Sequence, residues 1–413
     1  MKTKLLLLTL LISALSFAQY TLIPDANFEN ALSAYDDIPN DGQVPTNMIS
    51  AINSLNVTNK GIYDLTGIQD FTSLVKLFCS SNNLSSLDIS SNTLLNELGC
   101  SSNQLTSLNI IANTALEILS CGSNQLSNLN ISNNTLLTRL YCSDNLLTSL
   151  NVNANTLLTH FNCNENLLTT IDISTNIALN YFVCYENQLS ILDTSTNIAL
   201  ISIHCNENQI TALDLSTNIA LEYLNCSYNQ LPVLDLVNNT SLIQLSCIFN
   251  ELTSLDVSMN TNLTSFNCIY NQLTYLNVKN TNNINFTIFF SHHNPDLTCI
   301  IVDNATWSDV NWSTYKDATS TFVNSQIACN ALSVEEELLT NLEIYPNPAN
   351  NNLNIKIDVM SNYSIYSFNG QLLNSGKLQQ GKNTLDVSEL NQGIYFIKIH
   401  SNSFKTVQKL IIK

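Results

Sequence analysis

Residues Leu221–Leu242 read LEYLNCSYNQLPVLDLVNNTSL, and this phrase recurs along most of the chain. Cys226 belongs to a series at positions 79, 100, 121, 142, 163, 184, 205, 226, 247 and 268, each 21 residues after the last. An asparagine follows each cysteine by three positions, from Asn82 to Asn271, and Leu or Ile follows by five and by eight. Leu, Ile or Phe stands two positions before it. A fixed period of this length marks an array of stacked turns. Alternating apolar residues such as Leu224 and Cys226 predict a short strand with one face inward. A single turn cannot bury that face, but stacked turns form a continuous core beneath a parallel sheet. The asparagine amide carries both donors and an acceptor, so its column predicts a ladder of bonds to backbone groups where the strand turns.

The cysteines admit two readings: a metal or redox ladder, or a column of small buried hydrophobes. The series contains no CxxC or mixed cluster of the kind that metal sites use. In-register strands hold neighbouring Cβ atoms near the strand spacing of ~4.8 Å, above the ~3.8 Å that a disulfide needs. Packing is therefore the expected role.

The consensus LxxLxCxxNxLxxLD[IV]SxNTxL resembles the leucine-rich repeat signature LxxLxLxxNxL, with cysteine in the third apolar slot. The resemblance implies a repeat solenoid, a horseshoe or arc with a parallel β-sheet on its concave face, where such proteins bind their ligands. The regular repeats are expected over 74–290. Before them, Leu55–Leu74 reads as an atypical turn with Val57 in the cysteine slot, and IPDANFENALSAY (Ile23–Tyr35) reads as a short capping helix started by Asp25, with Phe28, Leu32 and Tyr35 on its inner face. Residues 19–73 thus form an N-terminal cap with a first repeat. With DGQV and DLTGI, this cap resembles those of secreted leucine-rich repeat proteins from the Bacteroidetes.

After Cys268 the pattern is expected to decay: TNNINFTIFFSHHNPDLTC loses the period and the asparagine column. Residues 291–332 are assigned to a C-terminal cap. Cys299 and Cys329 lie off the period, and in an exported protein such a pair predicts a capping disulfide, worth roughly 3.5 kcal/mol in the chain-entropy model. His292 and His293 read as surface residues of the capping loop rather than metal ligands.

Both ends of the chain point to export. Met1–Ala18, MKTKLLLLTLLISALSFA, has the basic start, apolar run and small-residue end of a signal peptide (1–18). Residues 333–341 read as a linker. From 342 to 413 the pattern changes to alternating short strands, with FNGQ as a hairpin turn, which predicts a small all-β sandwich. YPNPANNNLNI (Tyr345–Ile355), IYSFNGQLL, LNQGIYFIKI (Leu390–Ile399) and the KLIIK end resemble the type A sorting domain of the type IX secretion system. That resemblance implies engagement of the type IX machinery and a secreted or outer-surface protein, with no transmembrane span once the signal is removed.

The net charge of −18, from 14 basic and 32 acidic residues in 413, leaves little material for a basic patch, so nucleic acid is not an expected partner. No GxSxG, HExxH or phosphate-loop motif occurs, no cofactor or metal is indicated, and no enzymatic activity is expected. The aspartates Asp88, Asp172, Asp193, Asp214, Asp235 and Asp256 occupy one repeat slot and read as turn residues. The strand positions that vary are more informative. Two after the cysteine, three serines give way to Asp144, Glu165, Glu186 and Glu207, then to Tyr228, Phe249 and Tyr270. Tyr141, Tyr181, Tyr185, His204 and Tyr223 lie at neighbouring strand slots. The repeat does not require these residues, and stacked carboxylates repel. They are the candidate ligand-binding face of an extracellular binding or adhesion protein, for a protein or glycan ligand. A structural surface-layer protein without a discrete ligand is the alternative.

Overall fold

A computed structural model of the protein describes residues 19–332, 342–367, 370–401 and 405–413. The signal segment 1–18, the linker 333–341, Phe368 and Asn369 of the FNGQ turn, and 402–404 lie outside the described residues. The chain divides into two compact units, up to Cys329 and from Asn330.

The first unit is a solenoid. Twelve three-residue strands, from Ser54–Asn56 to Ile288–Phe290, form one parallel sheet in which each strand pairs with the equivalent strand of the next turn. Tyr223–Asn225, for example, pairs with Gln244–Ser246 one period later. Inside, Leu221, Leu224, Cys226, Leu231, Leu234, Leu236 and Leu242 are all buried, so each repeat contributes one layer to a continuous core.

The asparagine column closes every turn. Asn229 Nδ2 donates to the carbonyls of Cys205 (3.0 Å), Cys226 (3.1 Å) and Ser227 (3.2 Å), while its Oδ1 accepts from the Ile210 amide at 2.9 Å. One side chain thus stitches its own turn to the preceding one. The second asparagine of the consensus builds another ladder on the opposite side of the core. Asn239 Nδ2 reaches the carbonyls of Leu215 and Asn218 at 3.0 and 2.9 Å. The aspartates act as Asx turns, each Oδ1 accepting from the amide two residues on, as in Ser216 N to Asp214 Oδ1 at 2.9 Å.

At the N-terminal end the helix Ala26–Ala31 covers the first turn. Asp25 caps it through the amides of Asn27 and Phe28, and its second oxygen accepts from Tyr63 and Asp64 of the neighbouring turn. At the other end the expected decay is corrected: the asparagine column continues to Asn294, whose Nδ2 donates to the Cys268 carbonyl at 3.1 Å. Ser291 stands in the cysteine slot of this turn, and its strand pairs Ser265 with Ile288, a step of 23 residues that hides the turn from a search at period 21. The helix Ala305–Trp312 then seals the core, with Trp312 stacked on Phe289 at 4.2 Å. Cys299 and Cys329 are disulfide-bonded. A second parallel sheet of four strands, Ser254–Asp256, Tyr275–Asn277, Cys299–Ile301 and Thr321–Val323, forms at this end.

The second unit is a small antiparallel β structure with its own core, including Leu353, Ile355, Ile365, Ile397, Ile399 and Leu410. Its sheets hold three strands (Glu343–Tyr345, Asn352–Ile357, Gly381–Asp386) and four (Leu372–Leu378, Ser361–Ser367, Gly393–His400, Lys405–Ile412).

Candidate ligand-binding face

The position two after each ladder cysteine is left-handed in every turn, with φ between +49° and +57° from Ser81 to Tyr270. Asn59 (+55°) and His293 (+60°) extend the column at its two ends. The bend turns the next residue, the ladder asparagine, into the core and throws this side chain outward. Such a φ costs a bulky residue such as glutamate, tyrosine or phenylalanine about 1 kcal/mol, more than glycine, asparagine or aspartate. Local energetics therefore favours residues like Asn59 and Asp144, yet the next six turns carry Glu165, Glu186, Glu207, Tyr228, Phe249 and Tyr270. The turn accommodates these side chains at a cost and does not need them.

The aromatic members form a stack. Ring centroids lie 4.8 Å apart for Tyr228–Phe249, 4.1 Å for Phe249–Tyr270 and 4.1 Å for Tyr270–His293. Tyr228, Phe249 and Tyr270 are 48, 41 and 38 % exposed, so this is an apolar ridge held open to solvent. His293 belongs to the stack rather than to a plain loop surface, and Asp317 fixes its turn by accepting from the His293 and Asn294 amides at 2.9 and 2.7 Å. Nothing in the sequence at period 21 aligns His293 with Tyr270. The aligning signal is the Ser291–Asn294 spacing of three.

The four carboxylates precede the rings along the same column. Glu165 Oε1 accepts from Asn164 at 2.8 Å and from the Tyr185 hydroxyl at 3.3 Å. Among the described residues no basic side chain pairs with any of the four; the ion pairs are Lys76–Glu97 and Lys356–Glu343. Desolvation by its surroundings, and then the charges of Glu207 and Glu165, hold the Glu186 carboxyl above its ordinary range. A raised folded-state value means that the native state binds this proton more tightly than the unfolded chain does. The ionised carboxylate thus weakens the fold at neutral pH, and the penalty disappears as pH falls through that value. Glu186→Asn, which relieves both backbone and charge, is expected to stabilise the protein at pH 7, with a smaller gain at pH 4 in urea unfolding. Destabilisation at pH 7 would contradict the strain described for this column.

The remaining candidates lie on the strands. Tyr181 and Tyr223 begin their strands, and Tyr181 stacks on His160 at 4.6 Å. Tyr141 and His204 end theirs, and burial holds His204 below the ordinary histidine range. On the turns that carry the ring stack, the sheet also contains a hollow of about 270 Å³ that sequence reasoning missed. Small side chains, Ser246 and Ser265, lie between bulky ones, Tyr223 and His204 on one side and Ile288 and Phe290 on the other. Among the described residues no group of three His, Cys, Asp or Glu is placed to hold a metal ion, and no helix is long and apolar enough to cross a membrane.

Comparison with known proteins supports the fold. Residues 343–413 match the secretion system C-terminal sorting domain family. The structure is similar to the functional domain of InlJ from Listeria monocytogenes, which includes a cysteine ladder, at 26% identity and a TM-score of 0.64 over 96% of this chain and 99% of that one. This chain is a leucine-rich repeat protein with a type IX sorting domain. Its repeat fold is also found in an internalin, InlF, from Listeria monocytogenes (18% identity, TM-score 0.55, covering 74% of this chain and 96% of that chain). In sequence, 70 residues of the leucine-rich repeat protein are 38% identical to Internalin J of Listeria monocytogenes serotype 4b, a match that spans 17% of this chain and 8% of that protein. The sorting domain directs the leucine-rich repeat protein to the outer surface or the extracellular space. The relatives are leucine-rich repeat proteins of the internalin type, and no enzyme family is indicated.

Proposed function

We propose that this protein is a binding or adhesion protein of the cell exterior that recognises a protein ligand on its concave face. The observation that carries this reading is the left-handed column, where large and charged side chains stand exposed although the backbone favours asparagine or glycine. The acidic run and ring stack would meet a partner that is basic in one part and apolar in the next. Mutual stacking covers most of the ring faces, which leaves few free for the face-on packing by which aromatic residues hold sugars, so a protein ligand is favoured over a glycan. We read the protein as non-catalytic and free of cofactors, with residues 342–413 engaging the type IX machinery.

One observation favours the structural surface-layer alternative. Ile177, Ile198 and Ile219 stand at one slot of three successive turns, each more than 60 % exposed, an apolar ridge suited to self-association. The two readings separate by experiment. Chain 19–413 is applied to an array of basic and acidic extracellular proteins and glycans, wild type against a Glu165→Gln, Glu186→Gln, Glu207→Gln variant. The expected result is binding to basic proteins that weakens at least about tenfold in the variant and declines with added salt. Equal binding by the two, or self-association alone, would reject the concave-face reading.

A further inference from the structure

The hollow in the sheet is formed by register. Tyr223, Gln244, Ser265 and Ile288 are consecutive cross-strand neighbours, as are Asn225, Ser246, Asn267 and Phe290. The missing bulk at Ser246 and Ser265 makes a depression with an aromatic or apolar residue at either end. The lining is mainly apolar, with two directional polar groups. Asn225 and Asn267 each accept a backbone amide through Oδ1, from Ser227 and Ile269 at 3.2 Å, which fixes the orientation of the carboxamide. Their Nδ2 groups make no hydrogen bond among the described residues, and an amide nitrogen only donates. Two amide donors in a mainly apolar hollow suit an aromatic ring that carries an oxygen acceptor. At about 270 Å³ the space fits one side chain rather than an element of structure.

The surroundings specify what accompanies that side chain. The ring stack from Tyr228 to His293 belongs to the same four turns as the hollow, and the carboxylates without a basic partner lie on the four turns before them. From the Ser246 turn to the Glu165 turn is four steps of ~4.8 Å, roughly 20 Å, or about six residues of extended chain. The repeat unit of a second copy is a poor occupant, because residues 19–341 hold five Lys and Arg against 28 Asp and Glu.

We propose that this hollow anchors a partner protein by taking one aromatic side chain, tyrosine before phenylalanine, from an exposed segment whose basic residues lie along Asp144, Glu165, Glu186 and Glu207. The proposal rests on the concave-face reading above and adds to it the anchor, the ligand class and the direction in which the ligand runs.

The test uses chain 19–413 and a phage library of random dodecapeptides as the probe. Peptides enriched on the wild type are expected to carry one aromatic residue with Lys or Arg within about six positions on one side. As synthetic peptides they should bind Ser265→Tyr at least about tenfold more weakly. That substitution fills the hollow with a residue the same slot already holds at Tyr181 and Tyr223, so the turn accepts it, and an unchanged circular dichroism spectrum and melting temperature verify this. If the peptides bind Ser265→Tyr as well as wild type but weaken in the triple Glu→Gln variant, the anchor is wrong and the concave-face reading stands. If nothing is enriched, or binding ignores both variants, both fall.

Discussion

Replacing Asn166 with aspartate is expected to destabilise the solenoid by at least about 3 kcal/mol at pH 7, with almost no change in side-chain shape. Asn166 is 5 % exposed, and its Nδ2 donates to the carbonyls of Cys142, Cys163 and Asn164 at 3.1–3.2 Å. Its Oδ1 accepts from the Leu147 amide at 3.0 Å. Aspartate keeps the acceptor and turns the donor into a buried, charged oxygen facing three carbonyl oxygens, each of which keeps only its other donor, from Asn145, Asn187 and the Asp144 amide. The new carboxyl binds its proton more tightly in the native state, so the loss shrinks on acidification, and urea unfolding at pH 7 and pH 4 reads both effects. Each turn contacts mainly its neighbours, so a defect at mid-ladder is also expected to split the unfolding transition. A variant with the wild-type midpoint at pH 7 would show that the ladder contributes little.

The ten ladder thiols are expected to be silent in the native protein. Each is fully buried and none is paired. Burial pushes the thiols at Cys100 and Cys205 up to about 12 and the other eight well above their ordinary value. At pH 8 a thiol of that kind is a thiolate about one part in ten thousand, against roughly one in four for a free cysteine. Lack of access compounds the effect, so labelling waits on unfolding. A disulfide reagent should find no equivalents in native protein and ten in urea, rising to twelve once Cys299–Cys329 is reduced. Even one rapidly labelled native thiol would mean that the column opens or that its packing role is wrong.

The architecture was legible because its signals repeat: cysteine, asparagine and leucine recur with the period of the turn, and each has a physical task that depends on its slot. The ends were legible in part. Asp25 announces its helix through its residue type, whereas the last turn is hidden by a longer step and by serine in place of cysteine. The candidate face was half legible. Residues the repeat does not demand drew attention to Glu165 and Tyr228, but nothing in their identity discloses a left-handed backbone, for which glutamate and tyrosine are poor choices. The hollow was invisible for a different reason. Asn225, Ser246, Asn267 and Ser265 read singly as ordinary polar surface, and a depression exists only through the size of residues on adjacent turns.

The two asparagine ladders also decide how this protein behaves under load. Their bonds run along the solenoid axis, from each turn to the one before it, as in Asn229 to Cys205 and Asn239 to Leu215. A pull on the two ends strains these cross-turn bonds at the terminal turn first, and the neighbour stays clasped until that turn has gone. Each 21-residue turn that peels away releases roughly 70 Å of chain. A solenoid built this way is expected to lengthen in discrete steps, turn by turn, rather than all at once.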